Sequence, residues 1–148
     1  MKITPDASTA NAPALSAVIV CGGVDIQRSV TRDHVQWLQG QARQGRQMGA
    51  VCTGSWALAK AGLLDGYDCS VHWEFLAAMQ EAFPRAAITT RLFSIDRNRN
   101  TSSGGTAPMD MMLHLIGREH GRELAAAISE MFILSLIHIS EPTRLLSI

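Results

Sequence analysis

The stretch "SAVIVCGG", residues 16 to 23, constrains the fold more than any other. Its unbroken apolar run offers no polar face to water, and two glycines close it. That is the pattern of a strand buried on both faces of a parallel sheet. Parallel strands need crossover connections, and the sequence supplies them. "TRDHVQWLQGQARQG" opens with Thr31 as a helix cap, carries Val35, Leu38 and Ala42 at helical spacing, and stops at Gly45. "QMGAVC" then reads as a second strand, and "GSWALAKAG" as a helix that ends at Gly62. Such βαβ units place functional groups beyond the carboxyl ends of their strands.

The alternation continues. "DCSVH" predicts a strand, "WEFLAAMQEAF" a helix stopped at Pro84, and "RLFSIDRNRNTSSGG" a hairpin turning between Asp96 and Asn100. In "TAPMDMMLHLIGREHG", Thr106 can cap and Pro108 suits a first turn, while Met109, Met112, Leu113 and Ile116 share one face. "GRELAAAISEMFI" predicts a last helix with Leu124, Ile128, Met131 and Phe132 on a stripe.

Composition narrows the function. With 148 residues, 47% of them hydrophobic, the chain has enough apolar material for one globular core. Its 13 basic and 13 acidic side chains cancel, so it lacks the basic face that grips a phosphate backbone. Cys21, Cys52 and Cys69 are an odd number without metal-type spacing, which suits a reducing cytoplasm and predicts no metal site. No apolar run reaches the roughly 18 residues of a membrane span, and "MKITPDASTANAP" has no signal-peptide core. We therefore expect a cytoplasmic chain with no membrane partner and no cofactor.

The candidate site is "GAVCTG". Gly49, Cys52, Thr53 and Gly54 read as a strand-to-helix elbow, where small neighbours let the backbone crowd and the helix start favours a thiolate. A cysteine hydrolase would need a base, and His72 in "CSVHWE" ends the strand that follows the elbow helix. Glu74 and Asp25 are candidates for an orienting acid, without a spacing that compels either. A small buried cysteine at a strand end explains the same residues equally well. His114 and His120 read as helix surface or satisfied packing.

Both ends of the chain break the pattern. Residues 134–144, "LSLIHISEPTR", look like the in-frame translation of a sequencing adapter, so we expect 134–148 to be a non-native tail behind a domain at 1–133. A doubly wound sheet usually opens with a hydrophobic strand and helix, which the first residues do not supply. We expect a fragment open at both ends.

Four segments, "GAVCTGSWALAKAGLLDG", "CSVHWE", "TSSGGTAPMDMMLHLI" and "HGRELAAAISEMFI", together resemble the PfpI-like, class I glutamine amidotransferase-like domain of AraC-type transcription regulators. The subgroup governing carnitine and glycine betaine catabolism is the nearest in look. The resemblance implies a flavodoxin-like α/β fold, a doubly wound and mostly parallel sheet truncated at its N-terminus. It implies a ligand sensor, with DNA bound only through a helix-turn-helix domain that would follow Ile133, and a homodimer when intact. Cys52 stands at the elbow cysteine and His72 at the partner histidine, whereas Thr53 replaces the histidine that many enzymes of the superfamily carry there. A sensor would have no catalytic residue; an enzyme of the isocyanide hydratase type, in which "CTG" also occurs, would use Cys52 and His72. For a small ligand, a quaternary ammonium compound in particular, we expect Cys52, Thr53, Gly54 and His72 to line the pocket and Trp56 or Trp73 to face the cation.

Overall fold

In the computed structural model, residues 2–132 are described. The tail expected at 134–148 lies outside them. The described residues form two compact units, divided after Pro108.

The first unit carries the sheet. Strand β1 (Ala17–Cys21) pairs in parallel with β2 (Gln47–Val51), Cys21 opposite Val51. Helices α1 (Ile26–Ser29) and α2 (Arg32–Arg43) make the crossover between them. Thr31 caps α2 as expected: its hydroxyl accepts the His34 amide at 3.4 Å, and the His34 Nδ1 accepts the Thr31 amide at 3.2 Å. After β2 the chain makes a 3₁₀ turn, Cys52–Gly54, and enters α3 (Ser55–Lys60). Strand β3 (Asp68–Ser70) follows, then a 3₁₀ turn at Trp73–Phe75 that leads into α4 (Leu76–Ala82).

Strand β4 (Ala87–Thr89) was not evident from the sequence, because three residues are too few to show a period. It pairs in parallel with β3 in a two-stranded sheet. β5 (Phe93–Asp96) and β6 (Arg99–Ser102) form the expected hairpin, and β6 joins β2 in parallel. The main sheet therefore runs β1, β2, β6, β5, and β1 is an edge strand. Val18 is buried but Ile19 and Cys21 are exposed, so its apolar run is not covered on both faces as the sequence suggested, since a continuous run does not tell an edge strand from a central one.

Met48, Leu58, Leu64, Cys69 and Met79 are fully buried and form the centre of the core. Each such side chain contributes about 1.5–3 kcal/mol by leaving water. A buried hydroxyl network ties the small sheet to the large one. The Ser70 amide donates to Thr101 Oγ1, Ser55 Oγ donates to the Ser70 carbonyl, and Ser70 Oγ meets Ser94 Oγ, each at 2.8 Å. Polar β6 is buried along its whole length, and most of its groups find partners there: Arg99 Nε donates to the Leu63 carbonyl at 2.6 Å and Asn100 Nδ2 to Gln47 Oε1 at 3.1 Å, while Asn100 Oδ1 is buried without a partner among the described residues.

In the second unit α5 (Ala107–His120), whose first residues belong to the other unit, is followed by α6 at 122–132. Gly121, at φ +97°, makes the reversal between them. Gly117 faces Ala125 across the pair.

Candidate ligand site at the strand-to-helix elbow

Cys52 follows the last residue of β2 and sits at φ +58°, in the left-handed region that residues with a side chain seldom adopt. Surrounding bonds hold it there. Its amide donates to the Ser103 carbonyl at 3.3 Å, just past β6, and its carbonyl accepts the His72 amide at 3.2 Å, just past β3. The carboxyl ends of three strands therefore converge on this residue.

The glycines explain how the turn closes. A Cβ on Gly22 would lie 2.1 Å from the Gly54 amide nitrogen, and one on Gly54 would lie 2.2 Å from the Val20 carbonyl oxygen. The end of β1 and the start of the elbow helix interlock through bare backbone. Thr53 adds a bond from its hydroxyl to the Gly23 carbonyl at 2.8 Å, so its side chain is buried in the turn rather than turned outward.

His72 lies across from the elbow. Its Nδ1 accepts the Glu74 amide at 3.3 Å and lies 4.0 Å from the Glu74 carboxylate. The Trp73 ring stacks on the imidazole, with centroids 5.6 Å apart and planes 30° from parallel, and Trp73 is 73% exposed. Trp56 is placed differently: it packs edge-on against Phe83 at 4.9 Å and Phe75 at 6.5 Å, in an aromatic cluster under the elbow helix. Among the described residues no hydrogen bond joins the Cys52 side chain to His72, Glu74 or Asp25. The Asp25 carbonyl, not its carboxylate, is engaged, by Ser29. His120 is exposed beside Glu119.

The three thiols differ. Cys21 is exposed at the end of β1, and Cys52 is half-buried. Cys69 is fully buried; burial, reinforced by the neighbouring Asp68 charge, pushes its thiol up to about 11. Among the described residues no group of three His, Cys, Asp or Glu side chains could hold a metal ion, and no helix is long and apolar enough to cross a membrane.

One contributor escaped the sequence reading. A Cβ on Gly104 would lie 2.4 Å from Cδ2 of His72 and 3.0 Å from its Nε2. The "SSGG" run carries the signal, but glycines at a hairpin end read as turn chemistry, and only the fold brings them against the imidazole.

Comparison with known proteins places this geometry. Residues 1–118 match the model of the DJ-1/PfpI family. The chain is 82% identical over 137 residues to the HTH-type transcriptional regulator GbdR of Pseudomonas aeruginosa, an alignment covering 93% of this chain and 37% of that protein. Thus the chain spans a little over a third of the length of that relative. A crystal structure of an AraC family transcriptional regulator from Pseudomonas putida superposes with a TM-score of 0.75 at 32% identity, over 84% of this chain and 67% of that one. An isonitrile hydratase from Pseudomonas putida is 30% identical over 118 residues, 78% of this chain and 50% of the enzyme.

Proposed function

Since the chain belongs to the DJ-1/PfpI family, with its flavodoxin-like α/β fold, we propose that it is the ligand-sensing part of an AraC-type transcription regulator. The observation that carries this reading is the 82% identity to a regulator, along a stretch that includes every residue of the elbow. The site geometry agrees with it. A cysteine hydrolase needs its nucleophile within hydrogen-bond reach of a base, about 2.6–3.2 Å and often looser before substrate binds. Among the described residues no hydrogen bond joins the Cys52 side chain to His72, whose Nδ1 accepts the Glu74 amide.

In this reading the elbow receives a small metabolite such as carnitine or glycine betaine, which control the catabolism of the same compounds through the regulator. The carboxylate meets the amide-rich start of the elbow helix at Thr53 and Gly54, beside Cys52 and His72. The quaternary ammonium lies against the exposed ring of Trp73. Trp56 supports the site from below through Phe75 and Phe83. DNA binding belongs to a helix-turn-helix domain after Ile133, and the whole regulator works as a cytoplasmic homodimer.

A second reading rests on two observations: the backbone strain at Cys52 and the likeness to an isonitrile hydratase. Here Cys52 is a nucleophile and His72 its partner.

One experiment separates them. The chain and its Cys52→Ser variant are titrated calorimetrically with glycine betaine and with carnitine, and both are assayed for consumption of these compounds and of an isonitrile. A sensor binds one of the metabolites, consumes nothing, and loses at most about fivefold in affinity on Cys52→Ser, about 1 kcal/mol for one weak hydrogen bond. Steady turnover that vanishes in Cys52→Ser overturns the sensor reading.

A further inference from the structure

We infer that His72 serves the elbow as a fixed hydrogen-bond donor through Nε2 toward an oxygen acceptor, and that Gly104, against which this edge of the ring lies, is the positioning residue that lets the imidazole sit there. The acceptor is a carboxylate or carbonyl oxygen of the occupant, so this part of the inference rests on the ligand-sensing reading above.

A neutral imidazole has one N–H and one lone pair. In His72 the lone pair is on Nδ1, because the Glu74 amide donates to it at 3.3 Å. The proton therefore sits on Nε2. Protonation of the ring adds a hydrogen at Nδ1, facing the Glu74 carboxylate at 4.0 Å, and leaves Nε2–H in place. In neither state can Nε2 accept a proton from Cys52.

The ring is also held in position. Trp73 stacks on it, and the His72 amide is bonded to the Cys52 carbonyl. The edge carrying Cδ2 and Nε2 lies against Gly104, where a single methyl group would come within 2.4 Å of the ring. Ser103, the residue before, holds the Cys52 amide. Gly104 is thus tied to the same loop that fixes the elbow, and any side chain there must push the imidazole away from it. The donor, the elbow and the loop form one arrangement that reads an oxygen.

The full chain labelled with nitrogen-15 in its histidines tests this directly. At alkaline pH, His72, identified by its disappearance in His72→Asn, should show protonated Nε2 and bare Nδ1. Gly104→Ala should shift both ring nitrogens while the backbone amide spectrum away from the elbow stays that of the folded chain. A proton on Nδ1 overturns the inference, and so do unchanged ring shifts in folded Gly104→Ala. Should Gly104→Ala fail to fold, the wild-type tautomer still decides the donor.

Glycine betaine and choline then probe the acceptor, since both carry the quaternary ammonium and only the first carries a carboxylate. His72→Phe keeps a ring for Trp73 to stack on and should lower the preference for glycine betaine about tenfold, the usual effect of one charge-assisted hydrogen bond, with choline binding unmoved. An unchanged preference overturns the acceptor assignment. If the wild type binds neither compound, the ligand-sensing reading of glycine betaine falls, and the donor stands or falls on the spectra alone.

Discussion

Gly54→Ala should destabilise the chain, although helix propensity predicts the opposite. Gly54 has helical angles, φ −58° and ψ −24°, at the entrance to α3. Alanine in a helix is better than glycine by about 1 kcal/mol. Against this gain, the new Cβ would lie 2.2 Å from the Val20 carbonyl oxygen and 3.1 Å from the Gly22 amide nitrogen. Both are backbone atoms of the β1 end, which cannot rotate aside. Ordinary contact would require β1 and the elbow helix to part by about 1 Å, against the interior packing that holds them, and overpacking of this kind costs about 1–3 kcal/mol or more. The Cys52 and Thr53 bonds would be stretched as well, so the net loss should reach about 2 kcal/mol. Gly40→Ala is the control: Gly40 lies within α2, and a Cβ there meets nothing within 4 Å. It should gain about 0.5–1 kcal/mol. Urea unfolding followed by circular dichroism reads both, the midpoint falling by about 1 M for Gly54→Ala and rising for Gly40→Ala at a slope near 2 kcal/mol/M. A Gly54→Ala midpoint at or above that of the wild type, with Gly40→Ala behaving as stated, would refute the interlocked-backbone argument.

At pH 8 in the folded chain, iodoacetamide should label Cys21 and Cys52 while Cys69 stays protected until urea exposes it, as mass spectrometry of peptides will show; equal labelling of all three would contradict the buried thiol. Asp96 accepts bonds from Arg97 and from the Asp68 amide, which hold its carboxyl below the ordinary 3.8, so its contribution to stability exists above that pH and disappears as pH falls through the lowered value. Asp96→Asn should accordingly lower the urea midpoint at pH 7, with an effect that shrinks progressively as the pH falls below 3.8; a pH-independent difference would remove the ionic explanation. Arg97, at φ +55°, spans the β5–β6 turn and reaches the Gly66 carbonyl at 2.7 Å with its guanidinium 3.7 Å from the Tyr67 ring centre. Arg97→Gly should therefore be close to neutral in thermal midpoint, relief of the strained backbone offsetting the lost side-chain contacts; a large fall would show that the contacts dominate.

Much of this architecture is legible in the sequence because burial leaves a periodic trace. The Thr31 cap and the glycines around Cys52 each state a local requirement in residue type, and the apolar run of β1 marks a strand, though not its place at the sheet edge with Ile19 and Cys21 exposed. β6 does not, since "RNTS" looks like a surface turn and becomes interior only because Leu63, Gln47 and Ser70 supply partners from 31 to 53 residues away. The site divides in the same way. Cys52 and His72 stand out as reactive types at strand ends, whereas Thr53 and Trp56 owe their places to one hydrogen bond and one aromatic cluster. Gly104 has no side chain to advertise its role.

The two bonds at Cys52 also bear on how a signal could leave the pocket. One runs to the loop after β6 in the four-stranded sheet, the other to the loop after β3 in the two-stranded sheet, so the two peptide units flanking one residue join both sheets at the site, beside the hydroxyl network deeper in the core. An occupant that draws His72 toward itself pulls on one sheet while the other holds the elbow back. Because the Ser70–Thr101 and Ser70–Ser94 bonds also join the two sheets, a displacement at His72 is carried into packed strands instead of a loop that can absorb it, which is the form in which a small molecule's arrival can be felt far from where it sits. Hydrogen exchange at the His72 and Cys52 amides would register that tug before any larger rearrangement became visible.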